Sequence, residues 1–207
     1  MPQFRFTILS IVSFVGLFFT LTGCVSPLNV GEYERYTDAG IRYEDQGDYL
    51  DARRCYIRAR AAAAGGFMPA DAESAAVYNI ARMNGMLGYY DVAERQLKES
   101  LKLEEKVYGV DGGHASMRWF ELARLYYAWG KYSESVAAYE HAFPLADERD
   151  ARKTDPVTYA ACCRDFADAL DKVGDTTRAQ KERELAASIH GERPEPKILY
   201  YPVKSNP

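Results

Sequence analysis

The sequence predicts an all-α fold in which about four antiparallel helix pairs stack as an α-solenoid, and two observations support this prediction. The first is a glycine that recurs four times, with a small residue five positions after it. These pairs are Gly47 and Ala52, Gly88 and Ala93, Gly130 and Ser135, and Gly174 and Ala179, with steps of 41, 42 and 44 residues between the small residues. The second is the helical spacing of apolar residues before each glycine, as in Trp119, Leu122, Ala123 and Tyr126. One such unit cannot bury its own apolar face, so successive copies must pack together.

Each copy contains the residues that a helix pair requires. The glycine ends the first helix, because the left-handed backbone conformation costs little only for glycine. An aromatic residue two positions later, Tyr49, Tyr90 or Tyr132, begins the second helix. In the fourth copy Thr176 and Arg183 stand at the aromatic and the next apolar position. A more polar last copy is typical of a terminal repeat that faces water.

The amino terminus has the layout of a secretory signal, in which Arg5 is followed by an apolar stretch over residues 6–19. The sequence Leu21-Thr22-Gly23-Cys24 resembles the lipobox of bacterial lipoproteins. In that family the cysteine thiol is alkylated with diacylglycerol, the signal peptide is cleaved before it, and the new amine receives a fatty acid such as palmitate. The resemblance therefore implies a permanent lipid anchor on Cys24, since several acyl chains together hold a protein in the membrane. The alternative is an uncleaved anchor helix, because the apolar region is just long enough to span a bilayer.

The resemblance also bears on the compartment. In Gram-negative lipoproteins an aspartate after the cysteine usually means retention in the inner membrane, and this sequence has Val25. We therefore expect the outer membrane, with the protein facing the periplasm; a Gram-positive source would place it on the outside of the cytoplasmic membrane instead. The predicted divisions are residues 1–23 as signal peptide, 24–32 as lipidated cysteine and tether, 33–190 as repeat domain, and 191–207 as an extended tail.

Charge and cysteine content narrow the function classes. The net charge of -4, without a run of like charges, gives no support for a nucleic-acid partner. Cys55, Cys162 and Cys163 have no zinc-type spacing and stand among Ala, Tyr and Phe. We interpret all three as small buried hydrophobic residues, although the oxidising compartment leaves disulfides open.

The repeat pattern resembles the tetratricopeptide repeat (TPR) over roughly residues 33–190, and residues 119–142 match its signature best. The steps exceed the usual ~34 residues and are similar to the longer, roughly 42-residue variety of kinesin light chains. Residues 103–111 resemble the extended loop of that variety. The resemblance implies a right-handed α-solenoid whose first helices line a groove for a peptide or a partner helix.

Site residues follow from the family's spacing, which places four positions of each first helix in the groove. These positions predict a partner-binding groove that is aromatic and basic in its middle, formed by Tyr78, Arg82, Met117, Phe120, Arg124, Tyr127 and Arg164. Aromatic and arginine residues dominate interface energetics. The alternative is that Arg82 and Arg124 pair with acidic residues of neighbouring helices. Thr37 and Ile41 stand where chaperone-binding members carry Lys and Asn, which argues against a chaperone-tail receptor.

Two further segments are candidate interfaces. Residues 191–207 contain four prolines and cannot continue a helix, and they include the apolar run Ile198-Leu199-Tyr200-Tyr201. It is open whether this run docks on the solenoid, docks on a partner or has no fixed structure. The loop over residues 64–69 contains two glycines and two exposed apolar residues.

No catalytic motif is present: the sequence has no GxSxG, Walker loop, HExxH or nucleotide fingerprint, and its three histidines are scattered. We therefore expect no enzyme activity, no catalytic or metal-binding residue, and no cofactor apart from the lipid on Cys24. The sequence predicts a membrane-anchored scaffold or adaptor for another envelope protein, in an assembly of the pilus, secretion or outer-membrane biogenesis type. The alternative is an envelope receptor that binds a small molecule or a glycan in the groove.

Overall fold

The computed structural model describes residues 27–64, Met68 and residues 71–190. These residues form helices and no strands, as the sequence predicted. The helices are α1 (Pro27–Asp45), α2 (Tyr49–Ala64), α3 (Ala72–Met86), α4 (Tyr90–Tyr108), α5 (Ala115–Ala128), α6 (Tyr132–Asp147), α7 (Ala151–Thr154), α8 (Pro156–Lys172) and α9 (Thr176–His190). The predictions for the signal peptide, Cys24, the Gly65-Gly66 pair and the tail fall outside the described residues. Helix α1 already includes residues 27–32, which were assigned to the tether.

Four antiparallel pairs, α1/α2, α3/α4, α5/α6 and α8/α9, stack in chain order, and α7 lies in the connection before the last pair. The four repeat glycines have positive φ angles between 78° and 86°, which confirms the predicted helix ends. After each glycine the next backbone N–H donates to the carbonyl five residues earlier, as Asp48 does to Tyr43 (2.9 Å) and Tyr89 to Asn84 (2.8 Å). These bonds satisfy carbonyls that a helix end leaves without partners.

The repeated small residues let the helices approach closely. Ala52, Ala93, Ser135 and Ala179 are all fully buried. A Cβ atom on Gly40 of α1 would lie 2.5 Å from the Tyr56 ring of α2, so a larger residue at position 40 requires this ring to move. The core is therefore a layer of small residues into which tyrosine, leucine and phenylalanine pack.

The connection between α4 and α5 is shorter than the sequence predicted. Residues 103–108 belong to α4, and the extended loop is limited to residues 109–114. The reason is Glu104, whose side chain is 1% exposed and accepts a hydrogen bond from the backbone N–H of His114 (2.6 Å). This bond folds the loop back onto the last turns of α4.

A buried ion pair completes this arrangement. An Arg118 Nη2 lies 2.9 Å from Glu104 Oε2, and the Ser74 hydroxyl donates to the same carboxylate (2.8 Å). Burial acts to raise the pKa of Glu104, but the hydrogen bonds from His114 and Ser74 and the charge of Arg118 hold this pKa below its usual value. The ion pair joins α4 to α5, and the hydrogen bond from Ser74 adds α3. Together these contacts connect two successive repeats.

Candidate partner-binding face

The first helices of the four pairs, α1, α3, α5 and α8, lie side by side and form one face of the molecule, which we call the first-helix face. All seven predicted groove residues lie on these helices: Tyr78 and Arg82 on α3, Met117, Phe120, Arg124 and Tyr127 on α5, and Arg164 on α8. Their surroundings divide them into two groups, one buried within the protein and one exposed.

The arginines Arg82 and Arg124 form ion pairs between helices. Arg82 pairs with the buried Glu44 of α1, and only 13% of its side chain is exposed. Arg124 is 6% exposed, and its Nε donates to Asp165 of α8 (2.8 Å). The pairing that the sequence left open is therefore present for both arginines.

Glu121 lies in the middle of this row of charges. Its carboxylate is 4.0 Å from Arg124 Nη1, and its side chain is 6% exposed. Burial raises the pKa of Glu121 above its usual value, while Arg82 and Arg124 act in the opposite direction. A row of alternating acidic and basic side chains therefore crosses α1, α3, α5 and α8 on the first-helix face, with an electrostatic interaction between Arg82 and Glu121 and ion pairs at its other steps: Glu44, Arg82, Glu121, Arg124 and Asp165.

The aromatic residues Tyr78 and Phe120 are also largely buried. Guanidinium groups of Arg82 and Arg118 lie 5.7 and 5.1 Å from the centre of the Tyr78 ring. The Phe120 ring packs edge-on against Phe143 of α6, with 5.1 Å between ring centres. Only 7% of Tyr78 and 8% of Phe120 is exposed. These two residues therefore pack beneath the first-helix face and offer a partner little surface to contact.

The other predicted residues reach the surface. Met117 is 37% exposed, and Tyr127 is half-buried beside the Tyr132 ring (5.5 Å between centres). Arg164 is half-buried, and within residues 27–64 and 71–190 no carboxylate lies within 4 Å of its guanidinium. These three side chains are the part of the predicted groove that a partner can contact directly.

A pocket of about 170 Å³ opens on the first-helix face between α5 and α8. The predicted residues Met117 and Phe120 form its α5 side, and Asp155 stands exposed at the amino-terminal end of α8. The complete lining is Ser116, Met117, Phe120, Ala146, Ala151, Asp155, Thr158, Tyr159 and Cys162. Most of this lining is apolar, and it forms a socket for one apolar side chain.

Most of the residues on the α8 side of the pocket could not be found from the sequence pattern. Asp155 begins α8 by accepting a hydrogen bond from the Thr158 N–H (3.2 Å), and Pro156 occupies the first helical position. This Asp-Pro pair signals where a helix begins, but a pocket depends on how α8 packs against α5. The Tyr159 hydroxyl donates to Asp147 of α6 (2.8 Å), which fixes the back wall.

Among the described residues, no group of three or more His, Cys, Asp or Glu side chains could hold a metal ion. No helix among residues 27–64 and 71–190 combines the length and the apolar character needed to cross a membrane. In the structure Cys55, Cys162 and Cys163 are free thiols; Cys162 and Cys163 are buried, and Cys55 is half-buried.

Comparison with known proteins agrees with this architecture. Residues 71–148 match the sequence model of the tetratricopeptide repeat family. BtubC (BKLC) from P. vanneervenii has a similar fold, with a TM-score of 0.68, 19% identity, and coverage of 80% of this chain and 67% of that one. The nearly identical TPR-like repeats of a candidate kinesin light chain from Podosopora anserina give a TM-score of 0.61 at 19% identity, covering 79% and 75%.

A third similar structure is that of MamA, with a TM-score of 0.55, 16% identity, and coverage of 77% of this chain and 79% of that chain. None of the curated proteins matches the sequence. At these identities the structures show the fold alone. Residues 71–148 therefore match the tetratricopeptide repeat family, and the helices over residues 27–190 have a TPR-like fold that is similar to kinesin-light-chain repeats.

Proposed function

We propose that this chain is a non-enzymatic, membrane-anchored scaffold whose first-helix face binds a segment of another envelope protein. The TPR fold, which indicates a scaffold for protein–protein interaction, supports this proposal. In this proposal the pocket between α5 and α8 takes an apolar side chain of the partner, and Met117, Tyr127 and Arg164 contact the residues around it. A peptide bound in this way is held by an anchor residue in a preformed socket.

The pocket is the single observation that carries this proposal. Its volume of about 170 Å³ is smaller than the roughly 300–1,000 Å³ of typical small-molecule sites, but it accommodates one side chain. Met117 at the rim is an exposed, adaptable apolar residue of the kind that peptide-binding surfaces use. These properties favour a protein segment over a small molecule or a glycan.

Selection from a random peptide library on the immobilised chain tests the pocket. We expect the enriched peptides to share an apolar residue, and the variant Met117→Asp to bind them at least tenfold more weakly, a loss of about 1.4 kcal/mol. The reason is that a carboxylate at the rim must lose water when an apolar side chain enters. Binding is measured by fluorescence anisotropy with labelled peptides.

The matched control for this experiment is Ile41→Asp. Ile41 is 46% exposed on α1, so the change has the same chemistry on the same face, two repeats from the pocket. We expect it to alter binding less than twofold. Peptides that bind Met117→Asp and the original chain equally well place the interaction elsewhere and contradict the proposal.

The second part of the proposal is the lipid anchor on Cys24, which the lipobox-like sequence before it supports. Metabolic labelling with an alkyne-tagged fatty acid is expected to label the chain, and Cys24→Ser to abolish both the label and membrane retention. In a Gram-negative host, Val25 supports the outer membrane, so density-gradient fractionation should find the labelled chain there. An equal label in the Cys24→Ser variant would show that no lipid is attached at this thiol.

A further inference from the structure

We propose that the chain's own carboxyl-terminal segment, through the apolar run Ile198-Leu199-Tyr200-Tyr201, occupies the pocket between α5 and α8 until a partner displaces it. The proposal adds regulation to the site and rests on the proposed function for the role of the partner. Three observations support it: where α9 ends, how far the chain reaches beyond it, and the match between the run and the pocket.

The first observation is the register of α9 along α8. The helices are antiparallel, and Arg183 of α9 donates to Asp168 (2.8 Å) and Asp171 (2.7 Å) near the end of α8. Glu182 of α9 also lies beside Cys163 of α8. Because α8 ends at Lys172 and α9 begins at Thr176 and runs back along it, each residue forward in α9 corresponds to one residue backward in α8. The last turn of α9, which ends at residue 190, lies level with the first turns of α8 over residues 156–162.

These first turns of α8 form one wall of the pocket. Asp155, Thr158, Tyr159 and Cys162 belong to its lining. The chain thus leaves the repeat domain at the same end of α8 at which the pocket opens. It has only to pass round the amino-terminal end of this helix to reach the first-helix face.

The second observation is length. Ile198 lies eight residue steps beyond His190 along the chain. In extended form these eight steps span up to about 26 Å. A helix with its side chains is only about 10–12 Å across. Pro194 and Pro196 lie in this connection and favour an extended backbone over a continued helix. The apolar run can therefore reach the pocket with chain to spare.

The third observation is chemical complementarity. The pocket wall formed by Met117 and Phe120 is apolar, and Ile198 and Leu199 offer side chains of suitable size. Lys197 precedes the run directly, and the exposed Asp155 places a negative charge at the rim. The apolar run and the apolar pocket thus match each other, and the positive charge of Lys197 next to the run matches the negative charge of Asp155 at the rim.

The test uses methionine methyl groups in the full lipidated chain, held in lipid nanodiscs. Met117 lines the pocket, while Met83 of α3 is fully buried in the core. With ¹³C-methyl methionine, we expect the double variant Leu199→Asp with Tyr200→Asp to shift the Met117 signal and leave the Met83 signal unchanged. A matched control, Ser205→Asp with Asn206→Asp, adds the same charge outside the run and is expected to leave both signals in place.

Addition of a synthetic peptide with the sequence of residues 191–207 to the double variant should return the Met117 signal to its original position. The same peptide with the two aspartates should not. A Met117 signal that is identical in the original chain and in the double variant overturns the proposal. A Met117 shift that depends on protein concentration also overturns it, because the occupant would then be the tail of a second copy.

The outcomes also separate this inference from the proposed function. If library peptides move the Met117 signal and the tail substitutions do not, the inference fails and the scaffold function stands. If the tail substitutions move it, we expect library peptides to bind the double variant severalfold more tightly than the original chain, since they no longer compete with the tail. Equal affinities for the two chains would contradict competition at this pocket.

Discussion

Replacing Arg118 by alanine is expected to lower the free energy of unfolding by about 3–5 kcal/mol, because a buried carboxylate then loses its only close arginine partner in the described residues. Glu104 and Arg118 are 1% and 4% exposed, so water cannot compensate for the lost charge. Arg118 also donates hydrogen bonds to the hydroxyl groups of Ser74 and Ser100, and both bonds are lost in the variant. The Ser74 hydroxyl, which donates to Glu104, then loses the group that holds it in place. Urea denaturation followed by circular dichroism measures the change.

A double variant provides the control for this prediction. Glu104→Leu together with Arg118→Met removes both charges and leaves apolar groups of similar volume. Exchanges of a whole buried ion pair are often neutral, so we expect the double variant to recover most of the stability that Arg118→Ala loses. If the free energy of unfolding of Arg118→Ala lies within about 1 kcal/mol of that of the original chain, the ion pair is not an essential link between repeats.

The second large effect is expected for Tyr139→Ala, which should destabilise the fold by about 3–5 kcal/mol through the cavity it leaves. Tyr139 of α6 is 1% exposed. Its ring centre lies 6.2 Å from Phe120, 6.3 Å from Phe143 and 5.2 Å from Phe166. These rings connect α5, α6 and α8, so the loss of Tyr139 also loosens the wall of the pocket. The same denaturation experiment measures the effect.

Tyr139→Phe is the matched variant for this position. It keeps the ring and its packing and removes only the hydroxyl, so we expect a loss of about 1 kcal/mol or less. If the alanine variant is also close to the original chain in stability, the aromatic cluster does not hold the third and fourth repeats together. The measured order of the two variants therefore tests how the last repeats are joined.

The helix pairs could be predicted from the sequence because their signals are local. A glycine at the end of each first helix and a small residue five positions later have their roles within one repeat. The end of α4 was missed because it depends on a distant contact, the hydrogen bond from the His114 N–H to Glu104. Residues 103–108 have no local feature that distinguishes a last helical turn from a loop.

The binding face was predicted in outline, and its exposure was not. Repeat spacing placed Arg82, Arg124 and Met117 on the correct helices, but it could not distinguish which of the three side chains are buried and which are exposed. Whether an arginine is buried depends on an acidic residue of another helix, here Glu44 for Arg82 and Asp165 for Arg124. Such partners lie about 40 residues away along the chain, and a spacing rule within one repeat carries no information about them.

This division assigns different roles to the two groups of predicted residues. The buried arginines fix the spacing of α1, α3, α5 and α8, and their replacement is expected to change stability before it changes binding. Met117 lies at the rim of the pocket and is the residue through which binding can be altered without touching the core. Variants at position 117 therefore report on function most cleanly.

Photo-crosslinking from position 117 in living cells tests the central claim most directly. A photoreactive amino acid is placed at Met117, or at Ile57, which is exposed on α2 outside the first-helix face, and the crosslinked peptides are sequenced by mass spectrometry. We predict that position 117 crosslinks to one defined segment with an apolar residue, from a partner protein or from residues 198–201, and that position 57 does not. Crosslinks that form at position 57 and not at position 117 would contradict the claim that the pocket between α5 and α8 is the binding site.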